Sequence, residues 1–89
     1  MKSVTTKRFR KCLEHLPKRI QKQAIENYKL WKKDQEHPSL HFKKISDKSI
    51  FSIRISLGYR ALGVIKDSTM IWFWIGSHSD YDNLISGRT

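Results

Sequence analysis

Residues 50–77 read IFSIRISLGYRALGVIKDSTMIWFWIGS, and the period of this stretch decides the fold. Phe51, Ile53 and Ile55 alternate with Ser52, Arg54 and Ser56, the two-residue repeat of a strand with one buried face. The arginine therefore stands away from the core. Gly58 supplies a turn, and YRALGVI continues as a second strand in which Arg60 alternates with Tyr59 and Ala61. KDST makes the next tight turn. The run MIWFWI that follows is apolar on both faces, which fits a central strand or one covered on its second face by the C-terminal segment or a partner.

Upstream, LHFKKI offers Leu40 and Phe42 on one side and His41 and Lys43 on the other, a short strand leading to a turn at Ser46 to Ser49. Before Pro38 the period is helical. Thr5 or Thr6 can cap a helix that runs to about Leu16, with Phe9, Cys12, Leu13 and Leu16 at three- and four-residue steps. Pro17 ends it and opens a second helix, PKRIQKQAIENYKLWKKDQ, whose Ile20, Ala24, Tyr28 and Trp31 share a stripe. Lys18, Arg19, Lys22, Lys29, Lys32 and Lys33 fall on its other face, either as a solvated surface or as a contribution to nucleic-acid or partner binding. Hairpin connections in series imply an antiparallel meander. The expected fold is α+β: two N-terminal helices packed on one face of a four-stranded antiparallel sheet, with a short turn or helix from His78 to Ile85, all in a single domain over residues 1–89.

Charge narrows the class of partner. Against 18 Lys and Arg stand 8 Asp and Glu, giving a net charge of +10. Phosphate backbones are the commonest polyanion for such a surface, although an acidic protein or an anionic membrane satisfies the same physics. Cys12 is the single cysteine, so no internal disulfide forms, and its spacing makes it a small core hydrophobe. The basic N-terminus lacks an apolar signal region, and no apolar run reaches the roughly 18 residues of a membrane span. The expectation is a cytoplasmic protein with no membrane partner.

Four histidines raise the question of a metal, but His37 and His41 are separated by Pro38, His15 lies on the first helix and His78 is distant. No metal site and no cofactor is expected from that spacing. Gly58, Gly63 and Gly76 are isolated turn or close-packing glycines without the Lys-Ser/Thr of a phosphate loop. Ser77 lacks a nucleophile-elbow sequence. What remains is a set of cations with His78 and Tyr81. RNA cleavage through its own 2′-hydroxyl needs a base at that oxygen, positive charge at the phosphate and an acid at the departing 5′-oxygen. Imidazole, which ordinarily titrates near pH 6.5, suits the proton transfers, and the arginine fork suits the phosphate. The bland alternative is that SHSD, residues 77–80, is an N-cap cluster and His78 a turn residue.

The order of these landmarks resembles the RelE/ParE superfamily of toxins from bacterial type II toxin–antitoxin systems over nearly the whole chain. The residues that carry the resemblance are the helix pair joined by LP, Leu40, Phe42 and Lys43, the strands Ser52 to Ile55 and Gly58 to Arg60, and WIGSHSDY from Trp74 to Tyr81. The resemblance implies a small toxin held inactive by a cognate antitoxin in a hetero-oligomer. Many members enter the ribosome and cut mRNA there without metal, leaving a 2′,3′-cyclic phosphate and a 5′-hydroxyl. Under that resemblance Arg60 binds the scissile phosphate and Arg54 adds charge, with Lys43 and Lys44 as further RNA-binding candidates. His78 and Tyr81 occupy the region where different branches place their reactive groups, with His78 as acid or base and Tyr81 as its companion, or the reverse. Gyrase poisons share the fold, so fold alone leaves gyrase inhibition and a non-catalytic nucleic-acid or antitoxin-binding module as alternatives. The antitoxin implied is acidic and folds on binding, with Trp72 or Trp74 either an anchor for it or part of the core.

Overall fold

The computed structural model describes residues 1–86; residues 87–89 of the expected domain lie outside the described residues. The chain runs β1 (Lys2–Thr5), α1 (Lys7–Glu14), α2 (Lys18–Lys33), a 3-10 turn (Pro38–Leu40), β2 (Lys43–Ser46), β3 (Ile50–Ser56), β4 (Tyr59–Lys66), β5 (Thr69–Ser77) and α3 (His78–Ile85). The expected α+β class holds, with α1 packed over β5 and α2 over β3. The sheet has five strands in the order β1-β5-β4-β3-β2. Four form the anticipated antiparallel meander. The fifth, β1, pairs in parallel with β5, Lys2 opposite Thr69 and Thr5 opposite Trp72. Four residues of alternating exposure, KSVT, leave too little apolar signal to read as a strand.

Local chemistry sets the boundaries. Thr6, of the two threonines proposed, caps α1 by accepting a hydrogen bond from the Phe9 amide at 3.0 Å. Pro17 stands at the N-cap of α2, where its missing N–H costs nothing. The β4–β5 hairpin turns through Asp67 and Ser68, both at positive φ (51° and 61°), as the tightest hairpins require. The strand expected from Leu40 starts later. Leu40 closes the 3-10 turn, and His41 at φ 46° redirects the chain before β2 begins at Lys43.

The core lies between the sheet and α1 and α2. Trp31 is fully buried, meeting Trp72 edge-on at 5.2 Å and Phe42 at 5.9 Å, while Phe42 stacks on Phe51 at 5.1 Å. Ile20, Ala24, Ile53, Ile55, Ala61 and Met70 fill the space around them. Cys12 is half-buried and packs against this cluster, as a small hydrophobe. The opposite face carries a smaller cluster of Leu62, Trp74 and Tyr81. This is how β5 can be apolar on both sides: it is flanked by β1 and β4, and α3 brings Tyr81 over its second face. Trp72 (2% exposed) and Trp74 (7%) are both core residues, so neither is available as an anchor for a partner. Among the described residues no helix is long and apolar enough to cross a membrane.

Candidate functional site

The register of the sheet builds the site. Arg54 of β3 stands directly opposite Arg60 of β4, and Arg60 opposite Gly76 of β5. Residues in such a row share a face, and this is the face that α1 and α2 leave open. The next row holds Lys43, Ser52, Leu62 and Trp74. Lys44 pairs with Phe51, a core-facing residue, so the pleat turns it to the other side of the edge strand. Lys43 thus joins the two arginines and Lys44 does not.

Two like charges opposite one another are unfavourable, and each arginine is held by a different device. The Arg60 guanidinium lies 5.4 Å from the centre of the Tyr81 ring, a cation–π contact. The His78 ring stacks on the same tyrosine at 5.8 Å and 18°. Tyr81 is 6% exposed and acts as a platform, whereas the side chain of His78 is 51% exposed and open to a ligand. Its Nε2 sits 3.7 Å from Oδ2 of Asp82, one turn on, the only ion pair among the described residues. Neither Arg54 nor Arg60 has a carboxylate partner there, and Nη1 of Arg60 is buried without a hydrogen-bond acceptor.

The N-cap reading of SHSD holds. Ser77 is the N-cap of α3, accepting from the Asp80 amide at 3.1 Å, so the cap does not use the His78 side chain. The His78 amide donates to the Gly58 carbonyl at 2.7 Å, tying the start of α3 to the β3–β4 turn. Gly76 is not a turn residue: it lies inside β5, where a Cβ would come within 2.6 Å of the Trp74 ring folded across it. Glycine is required here for that close approach.

Two site residues escape sequence reasoning. Beyond Ser52, β3 has no strand neighbour on the β2 side, and buried Asn27 of α2 takes that place, donating to the carbonyls of Arg54 (2.8 Å) and Ile55 (3.0 Å). Gln23 in turn donates to Asn27 at 2.7 Å. A single asparagine amid the apolar stripe of α2 is the available signal. The second is His41, whose Nε2 lies 3.1 Å from Nη1 of Arg54. Alternation already placed it on the side away from the core. The other histidines are occupied locally, His15 Nδ1 against the Lys11 carbonyl at 2.7 Å and His37 Nδ1 with Ser39. No group of three metal-ligating side chains forms among the described residues.

The ParE-like toxin domain matches residues 18–83, a span that contains every element of this site. The chain belongs to the ParE-like toxin family. No curated protein matches its sequence. Solved structures share the fold of this family member at low identity. The toxin in the RelB–RelE antitoxin–toxin complex from Methanococcus jannaschii has a TM-score of 0.74 at 20% identity, over 91% of this chain and 96% of that one. YafQ from E. coli gives 0.73 at 9% identity, over 89% and 94%. The YoeB/ParE toxin from Agrobacterium tumefaciens gives 0.70 at 15% identity, over 88% and 99%.

Proposed function

We propose that this chain is the toxin of a toxin–antitoxin pair and a metal-independent endoribonuclease that cleaves mRNA on the ribosome. The observation that carries the reading is the pairing of Arg54 and Arg60, free of carboxylates among the described residues, beside a half-exposed His78 stacked on the tyrosine that holds Arg60. Such a pair is arranged to receive a phosphate between two forks. In the reaction the 2′-oxygen loses its proton to a base and attacks phosphorus, and the P–O5′ bond breaks as an acid protonates O5′. The products are a 2′,3′-cyclic phosphate and a 5′-hydroxyl. Arg54 and Arg60 stabilise the negative charge that builds on the non-bridging oxygens, and Lys43 holds the adjoining backbone. His78 performs a proton transfer, because Tyr81 is buried beneath it. Lys44 serves the RNA at the sheet edge only.

The cytoplasmic partner that silences the toxin is an acidic antitoxin that folds on binding. Two supports are the unpaired positive surface and the solved relatives from M. jannaschii and Mycobacterium tuberculosis, which are antitoxin–toxin complexes. With Trp72 and Trp74 buried, the apolar anchorage is the groove of about 370 Å³ between β1, α1 and α2, lined by Val4, Phe9, Leu13 and Ile25 with Arg10 beside them.

The test is to incubate the protein, and its His78→Ala and Arg60→Ala variants, with mRNA on programmed ribosomes and with mRNA alone. Ribosome-dependent cuts ending in cyclic phosphate that fall about 100-fold in either variant support the reading. Absent cleavage in both settings, with DNA-damage signalling on induction, transfers the assignment to gyrase.

A further inference from the structure

Arg54 presents a problem that the site described above does not solve. It faces Arg60 across the β3–β4 ladder, and no carboxylate among the described residues neutralises either. Repulsion alone would swing the less restrained guanidinium out into solvent, away from the place where a phosphate must be received. Arg60 is restrained by Tyr81. Among the described residues Arg54 has no cation–π partner, and its one side-chain hydrogen bond is to His41.

The frame around His41 is stiff on both sides. Leu40 before it is fully buried, and Phe42 after it stacks on Phe51. The residue itself sits in the left-handed region at φ 46°, with its amide bonded to the Pro38 carbonyl at 3.3 Å. Across the gap, the backbone of Arg54 is pinned by Asn27. Both ends of the contact are therefore fixed before the side chains meet, which lowers the entropy that an exposed hydrogen bond ordinarily has to overcome. Arginine has no acceptor, so Nε2 of His41 accepts from Nη1, and only an imidazole with an unprotonated Nε2 can do so.

We propose that His41 is a positioning residue that aims Arg54 at the phosphate site, and that protonation of His41 releases Arg54 from that position. The charged and titratable neighbours of His41 are Arg54 from β3, Lys43 two residues along, and Glu36 and His37, which line the same groove. A proton on His41 places a second cation against Arg54, with only Glu36 among these groups to offset it. The contact is made only while Nε2 of the imidazole is unprotonated and is lost when a proton occupies it. The inference rests on the phosphate-binding role given to Arg54, but its first readout does not require cleavage.

Guanidinium NMR of the full chain and of the His41→Ala and His41→Gln variants tests it, followed by titration with a short 2′-O-methyl RNA that cannot be cut. Glutamine keeps an acceptor near the position of Nε2 and does not titrate. The expected result is that the Arg54 guanidinium signals in wild type follow the titration of His41. They are fixed at all pH values in His41→Gln and averaged in His41→Ala. RNA affinity falls about tenfold in His41→Ala and is largely restored in His41→Gln, the effect of one hydrogen bond to a charged group. Arg54 signals indifferent to pH and to His41→Ala overturn the proposal, as does equal affinity in all three proteins. Intact RNA on the ribosome with the NMR coupling present would remove the nuclease reading and leave the aiming of Arg54 standing.

Discussion

The two faces of the sheet solve opposite problems with the same strands. Toward α1 and α2, alternate residues of β3, β4 and β5 are Ile53, Ala61, Ile75 and Trp72, buried to within a few per cent and locked against Trp31. Toward the open face the intervening positions are Arg54, Arg60 and Gly76, which gain little from one another and leave charge unpaired. A face selected for stability would not keep two arginines in register. The helix-covered face supplies the stability that lets the other tolerate repulsion, so substitutions on the two should separate cleanly into folding and functional effects.

Trp31→Ala strikes the covered face hardest. Removing a fully buried indole that touches Trp72 and Phe42 should cost about 3–5 kcal/mol, a large part of the stability of so small a domain, read as the urea midpoint. A midpoint close to wild type would show that the covered face does not hold the fold. Gly76→Ala tests whether the open face also has a packing limit: a Cβ meeting the Trp74 ring at 2.6 Å should cost about 1–3 kcal/mol and displace Trp74, visible in its fluorescence. Asn27→Ala links the faces, since it uncovers two β3 carbonyls from the helix side and loosens Arg54 on the other. A loss of about 1–3 kcal/mol is expected, with hydrogen exchange rising at Arg54 and Ile55. Arg60→Met should do least to the fold. It keeps the stem over Tyr81, relieves the opposition with Arg54, and leaves the midpoint within about 1 kcal/mol of wild type while cleavage falls about 100-fold. Destabilisation on the scale of Trp31→Ala would mean that Arg60 is structural and the contrast between the faces is false.

The contrast was legible in the sequence wherever alternation was strong. Phe51, Ile53 and Ile55 against Ser52 and Arg54 fixed which way Arg54 points, and the register then brought Arg60 opposite it. The C-terminal cluster was legible as a set of residue types, and the stacking of His78 on Tyr81 follows from their three-residue spacing on one helical face. What local pattern could not carry were contacts between distant segments. β1 is too short and polar to announce a strand whose partner lies at the far end of the chain. Asn27 looks like an interruption of an apolar stripe until the free edge of β3 is in view, and His41 is an ordinary surface residue until Arg54 is beside it. The resemblance offers Lys43 and Lys44 alike as RNA-binding candidates, while the pleat of β2 sends them to opposite sides.

The parallel pairing of β1 with β5 also bears on how the molecule comes into being. Lys2 is synthesised well before Thr69, so β1 waits for both helices and three strands to be made before its partner exists. The ring that holds Arg60 arrives later still, at position 81. A chain halted between Arg60 and Thr69 has both arginines but neither the strand that joins β1 to the sheet nor a platform beneath them. The arginine pair thus gains its aromatic support only when α3 folds back over the open face.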